Sequence, residues 1–176
     1  MEKFLSKIII SKKQINTRLQ ELAALIDQDY HQKESFVMVG LLKGCNPFFI
    51  DLLKKIKVEP IISYMSVCSY EETHSTGQLT IKLDLDVKVQ DAHILLVDDI
   101  IDTGLTLKSI KNLLLQRGAR EVKTCVLLAK NVHRDIQADY VGFPIENEFV
   151  IGYGLDYNQK YRNLAFIGVY NPNYEA

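Results

Sequence analysis

The 176-residue chain has little of what marks secreted, membrane or metal-caged proteins. Its three cysteines, Cys45, Cys68 and Cys125, are odd in number and far apart. A disulfide framework is therefore not expected, and no pair has metal-ligand spacing. The thiols read as reduced, in a cytoplasmic protein, with Cys45 a small buried residue. The four histidines, His31, His74, His93 and His133, are scattered, which argues against a zinc site. No apolar run approaches the ~20 residues that span a bilayer. The run in MEKFLSKIIISKK is too short for a secretory signal. Charge of one sign is missing as well. A formal charge of -1 gives no broad footprint for nucleic acid or an acidic membrane. Neither G-x-x-x-x-G-K-[ST] nor G-x-G-x-x-G occurs, so the common nucleotide-binding loops are absent. There is no internal repeat, linker or low-complexity tract.

What is present fits one soluble domain, residues 1–176, with 47% hydrophobic and 24% charged residues. Ser11 and Gln14 can form a capping box. The helix that follows is expected to bury Leu19, Leu22, Leu25 and Ile26 on one face. FVMVGLL (36–42) reads as a buried strand entering a turn at Lys43-Gly44. Asn46-Pro47 then opens a second helix. EPIISYMSV (59–67) and LTIKLDL (79–85) read as strands around the polar stretch SYEETHSTGQ (69–78), a long hairpin-like loop. ILLV (94–97) is a strand before a helix closed by Gly118, and EVKTCVLLAK (121–130) a strand ending at Lys130. YVGFPI, EFVIGYG and LAFIGVY supply short strands near the end. Continuous apolar strands alternating with helices predict an α/β fold, a mostly parallel twisted sheet flanked by helices.

In such sheets ligands bind beyond the carboxyl ends of the strands. Four ends carry chemistry here: Lys43-Gly44, Ser69-Tyr70, Asp98-Asp99 and Lys130. The richest is ILLVDDIIDTGLTL (94–107). A Thr- and Gly-rich turn opening a helix presents backbone N–H groups to an anion. Gly104 permits close approach, and Thr103 and Thr106 add hydroxyls. Carboxylates cannot bind phosphate, so Asp98 and Asp99 suit sugar hydroxyls or a cation. Asp102 on the rim could accept a proton. The plainer alternative is a helix cap, which would account for Asp102 better than for Asp98.

VDDIIDTGLTL resembles the phosphoribosyl pyrophosphate signature of type I phosphoribosyltransferases. The resemblance covers most of the chain and points to their hypoxanthine-guanine branch. It is carried by VGLLKG (39–44), SY (69–70) with STG (75–77), DDIIDTGLTL (98–107), LLAK (127–130) and EFVIGYGLDYNQKYR (148–162). It implies the fold of that family, with a small hood formed by the chain ends. It also implies transfer of phosphoribosyl from phosphoribosyl pyrophosphate to N9 of a 6-oxopurine, giving IMP or GMP and pyrophosphate.

By that resemblance the loop Asp102, Thr103, Gly104, Leu105 and Thr106 takes the 5′-phosphate. Asp98 and Asp99 take the ribose, and Asp102 is the general base near purine N7. Lys43, Gly44, Ser69, Tyr70 and Arg162 meet the pyrophosphate. Lys130 donates to O6, Phe149 stacks on the base, and Val150 offers backbone groups to its far edge. Asp156, with Asp98 and Asp99, would hold Mg2+. The segment 69–78 would be a mobile loop that excludes water. Relatives use a non-proline cis peptide at the turn matching Leu42-Lys43, and they are homodimers or homotetramers. Cys45, where relatives often have another small residue, suggests sensitivity to thiol reagents. Plainer readings stand beside these: Phe149 and Val150 as core strand residues, Lys130 as a solvated strand end, Arg162 as a surface ion pair and Asp156 as an N-terminal cap. The opposing function is a nucleic-acid-binding regulator of the same fold. Such relatives tend to lose the acid matching Asp102 and to carry basic surfaces, whereas this chain keeps Asp102 and is nearly neutral.

Overall fold

Two strands in the centre of the chain explain the architecture. Phe36–Leu41 (β2) is buried at every position, as is the first part of His93–Ile101 (β5). Alternate residues serve opposite faces: Met38, Leu95 and Val97 pack in one core cluster, and Val37, Val39, Ile94 and Leu96 in another. A strand covered on both sides has no need for polar alternation, which is why these read as continuous apolar runs. The computed structural model describes residues 3–69, 79–133 and 136–174.

The remaining elements are β1 (Leu5–Ile10), α1 (Lys12–Tyr30), α2 (Asn46–Leu53), β3 (Ile61–Ser69) and β4 (Leu79–Leu83). They continue as α3 (Leu105–Gln116), β6 (Glu121–Lys130), β7 (Tyr140–Ile145), β8 (Val150–Ile151) and β9 (Ile167–Tyr170). The main sheet has the order β4-β3-β2-β5-β6-β7. β3, β2, β5, β6 and β7 are parallel, and β4 is an antiparallel edge on β3. Helices α1 and α2 cover one face and α3 the other.

The capping box at Ser11 and Gln14 is formed. One expectation for that helix is corrected. Ile15, Leu19, Leu22, Ala23, Ile26 and Tyr30 are buried, but Leu25 is 47% exposed. At about 100° per residue, Leu25 lies roughly 120° around the helix from Leu19, off the apolar stripe.

A second, antiparallel sheet, β1-β9-β8, joins the two ends of the chain. Leu5, Ile151 and Tyr170 form its small core. Among the described residues β1 pairs only with a strand some 160 residues later, Leu5 opposite Tyr170. This sheet is the expected hood, and β8 brings Phe149 and Val150 to it. No described helix is long and apolar enough to cross a membrane.

Candidate active site

The site forms where β2, β3, β5 and β6 end. β5 does not stop at Val97. It runs through both acids to Ile101, with Asp98 opposite Val126 and Ile100 opposite Leu128 of β6. Asp98 and Asp99 are therefore strand residues, held by the sheet rather than by a loop. The Asp99 N–H donates to Asp98 Oδ1 at 3.0 Å, and the Ile100 N–H to Asp99 Oδ1 at 2.8 Å. Burial raises both carboxyl groups above the usual 3.8, and the adjacent Asp99 charge raises Asp98 further. Adjacent, half-buried carboxylates of this kind disfavour a second negative charge.

Beyond β5 the chain turns through Asp102, Thr103 and Gly104 into α3. Gly104 occupies the N-cap in the left-handed region, φ 79°, with no side chain capping the helix. A Cβ there would lie 2.5 Å from Ile136 Cγ2, so only glycine fits. The first intrahelical bond of this turn is Lys108 N–H to Gly104 O, 2.9 Å. The N–H groups ahead of it lack intrahelical acceptors, as at any helix start, an arrangement that can seat an anion. Thr103 and Leu105 are exposed and Thr106 half-buried beside it. Asp102 is not the helix cap. Its Oδ2 accepts from Lys130 Nζ at 2.8 Å, which joins the expected base to the expected purine contact at the end of β6.

A second group gathers over the Lys43-Gly44 turn. The Leu42-Lys43 peptide is cis, and the Lys43 side chain is exposed. A Cβ on Gly44 would stand 1.7 Å from Asp99 Oδ2. A Cβ on Gly154 would stand 2.0 Å from the Gly44 carbonyl oxygen. Thus the 152–154 turn lies on Gly44, and Gly44 on Asp99. Arg162 ties the upper layer: its Nη1 donates to Gly154 O at 2.7 Å and its Nη2 pairs with Asp156 Oδ1 at 2.7 Å. The other Asp156 oxygen accepts the Gln159 N–H at 2.8 Å. Asp156 is thus both a local turn cap and an ion-pair partner, and Arg162 is anchored rather than free on the surface.

Phe149 is 55% exposed, which rules out the simple core reading, whereas Val150 is buried. The Phe149 ring meets Tyr157 edge-on at 5.8 Å and Tyr170 at 6.1 Å, and Tyr157 stacks on Tyr170 at 4.2 Å. These tyrosines, and the glycine at 154, are site-shaping residues the sequence reading did not single out. Their only signals were the closely spaced glycines of GYG and the aromatic richness of the final segment. Tyr70, the Ser69 side chain and the loop 70–78 lie outside the described residues. Cys45 is the small buried residue its sequence context suggests, and burial, then the Asp98 and Asp99 charges, push its thiol up, which runs against sensitivity to thiol reagents. A thiol so placed is unreactive.

Among the described residues no three His, Cys, Asp or Glu side chains are grouped to hold a metal. The carboxylates present, the adjacent Asp98 and Asp99 and the Arg162-paired Asp156, are oxygen donors of the kind Mg2+ takes one or two at a time while keeping water.

Residues 8–158 match the family model described as phosphoribosyl transferase domain. The hypoxanthine-guanine phosphoribosyltransferase of Lactococcus lactis is 42% identical over 98% of this chain and 94% of its own length. The chain also spans 27% of the bifunctional protein TilS/HprT of Listeria innocua, at 41% identity. Among solved structures, a hypoxanthine phosphoribosyltransferase from Staphylococcus aureus superposes with a TM-score of 0.93. It is 41% identical, over 98% of this chain and 95% of that one. The Trypanosoma cruzi enzyme in complex with the product IMP gives 0.90 at 36% identity, over 98% and 97%. The likeness thus holds in both sequence and overall fold, and this chain belongs to the phosphoribosyl transferase domain family, among the hypoxanthine-guanine phosphoribosyltransferases.

Proposed function

We propose that the protein is a purine-salvage enzyme, moving the 5-phosphoribosyl group of phosphoribosyl pyrophosphate to N9 of hypoxanthine or guanine. The products are IMP or GMP and pyrophosphate. The observation that carries this is the meeting of three kinds of group at one sheet edge. An anion seat at 102–106, an acid pair at 98–99 and the Asp102–Lys130 pair all lie there.

In this mechanism the N–H groups at the start of α3, with Thr103 and Thr106, hold the 5′-phosphate. Asp98 and Asp99 accept hydrogen bonds from the ribose hydroxyls, and those bonds offset the desolvation that raises both carboxyl groups. Lys130 donates to O6, a contact hypoxanthine and guanine offer and adenine does not. As the base binds, Lys130 turns from Asp102 toward O6, and Asp102 is left to take the proton near N7. Phe149 stacks on the base, and Val150 offers backbone groups to its edge. Lys43, Gly44 and Arg162 take the leaving pyrophosphate. Asp156, with Asp98 and Asp99, would help hold Mg2+ on the substrate, where it neutralises developing charge. Ser69, Tyr70 and the 69–78 loop would close over the reactants and exclude water. A cytoplasmic homodimer or homotetramer, the whole chain forming one domain, with no nucleic-acid or membrane partner, completes the proposal.

The test is pyrophosphate release from phosphoribosyl pyrophosphate and Mg2+ with hypoxanthine, guanine, xanthine or adenine. Release with the 6-oxopurines and not adenine is expected. Silence with all four would overturn the enzyme reading in favour of a regulator.

A further inference from the structure

Tyr153 lies outside the groups assigned above, yet its position is closely determined. Its φ is 50°, between Gly152 at 99° and Gly154 at 102°, so three successive residues are left-handed. The Tyr153 N–H donates to Leu164 O at 2.8 Å. Its ring is 7% exposed, and its hydroxyl donates to Asp51 Oδ2 at 2.8 Å, with Pro47 O at 3.4 Å. Both partners sit on α2, the helix that follows directly from the Lys43-Gly44 turn.

The two layers of the pyrophosphate side are therefore joined at two points. One is the packing of Gly154 on Gly44, described above, where a Cβ on Gly154 would also come within 3.0 Å of Pro47 Cδ. The other is the hydroxyl bond to Asp51. The first contact only limits how near the layers come. The second prevents them from sliding apart. We propose that the Tyr153–Asp51 hydrogen bond is a positioning latch. It sets the Gly44 peptide against Asp99 and Arg162, and so raises affinity for the diphosphate end of the substrate without touching it. This rests on the assignment of Lys43, Gly44 and Arg162 to the pyrophosphate.

The surroundings separate this role from plain stabilisation. The Asp51 side chain is 45% exposed and also faces Lys54 Nζ at 3.5 Å. Water and Lys54 can therefore satisfy Asp51 if the tyrosine hydroxyl is lost, and the fold loses little. A cavity of about 380 Å³, lined by Tyr153, Asp51, Lys12, Asn16 and Arg162, gives a released ring room to move. What disappears is the restraint.

The experiment compares Tyr153→Phe, Asp51→Leu, Asp51→Asn and the double variant Tyr153→Phe/Asp51→Leu in the full chain. Tyr153→Phe and Asp51→Leu should raise the KM for phosphoribosyl pyrophosphate and the calorimetric Kd for pyrophosphate by about fivefold to tenfold. The KM for hypoxanthine should stay unchanged. Asp51→Asn keeps an acceptor oxygen and should stay near wild type. The double variant should be no worse than either single one, because both remove the same bond. Amide hydrogen exchange should quicken in 43–46 and 152–156 and not elsewhere. Equal rises in both KM values, additive losses, or Asp51→Asn as damaged as Asp51→Leu would overturn the latch. If the wild type neither turns over nor binds pyrophosphate, the salvage reading fails by itself. The exchange result then decides the latch: local quickening supports it, and uniform or absent quickening overturns it.

Discussion

Replacing Gly44 with alanine probes the stack of Gly44 on Asp99 without altering any charge. The new Cβ would lie 1.7 Å from Asp99 Oδ2 and 2.6 Å from Asp99 Cγ, and the first separation must double to reach ordinary contact at 3.4 Å. The Asp99 carboxylate has little freedom to yield, because Oδ1 accepts the Ile100 N–H at 2.8 Å. Either the carboxylate turns and weakens that bond, or the 43–44 turn lifts. Overpacking of this kind costs about 1–3 kcal/mol. For a chain of this size that corresponds to a fall in Tm of roughly 4–8 °C for a cost near 2 kcal/mol. The effect on the reaction is separate. Asp99 moved off the ribose forfeits a charge-assisted hydrogen bond of about 1.5–3 kcal/mol, roughly tenfold to a hundredfold in KM for phosphoribosyl pyrophosphate. Calorimetry gives the first quantity, and initial rates at saturating hypoxanthine give the second. Gly40→Ala is the control, since its Cβ would press Tyr64 at 2.9 Å and Phe49 at 3.0 Å, rings rather than a site carboxylate. It should lower Tm and leave KM alone. A Gly44→Ala protein with Tm within about 1 °C and KM within about twofold of wild type would refute the stacking of Gly44 on Asp99 as described.

Three further outcomes are expected. Asp102→Asn should keep calorimetric affinity for phosphoribosyl pyrophosphate but lower kcat by about 10²- to 10⁴-fold, the usual share of a general base; undiminished turnover would remove Asp102 from that role. Lys130→Ala should raise the KM for hypoxanthine and guanine and narrow the preference over adenine, and unchanged kinetics would count against the O6 contact. Asp29 is held below the usual carboxylate range by hydrogen bonds from Lys123, at 2.8 Å, and from Tyr140. A depressed acid contributes stability above its unfolded value of 3.8 and loses it as pH falls through the lower folded value. Asp29→Asn should therefore lower unfolding free energy near neutrality by a small amount, ~0.5 kcal/mol for so exposed a pair. That difference should fade on acidification below about pH 4, and a gap that widens in acid would contradict the assignment.

Much of the site is legible in the sequence because its chemistry is local. Thr103, Gly104 and Thr106 sit within four residues, and a loop that must seat an anion at a helix start has few other ways to be written. The course of β5 is less legible. ILLV looks complete at Val97 because polarity begins at Asp98, yet sheet pairing continues to Ala129 opposite Ile101. Polarity marks where the strand emerges toward the site, not where its hydrogen bonds stop. β1 is harder still. LSKIII has only a short apolar run, and its exposure pattern follows from a partner at residues 167–170. The layering of Gly154 on Gly44 on Asp99 joins three segments more than fifty residues apart, so no spacing rule within the chain could reveal it. Leu25 shows the reverse difficulty: apolar character suggested burial, and helical geometry placed it in solvent.

The hood also imposes an order in time. Synthesis runs from the amino end, so β1 is among the first strands to leave the ribosome. It then waits for β9, which pairs Ile10 with Ile167 and Leu5 with Tyr170. β8, which directly follows Phe149, has β9 as its only sheet neighbour among the described residues. The six-stranded sheet has all its strands by Ile145, while the small sheet cannot pair until β9 arrives, since β1 and β8 both pair through it. The nascent chain therefore completes the strands of the sheet that carries the Asp98-Asp99 pair before the small sheet beside Phe149 can form, and β1 and β9 close that small sheet from opposite ends of the chain.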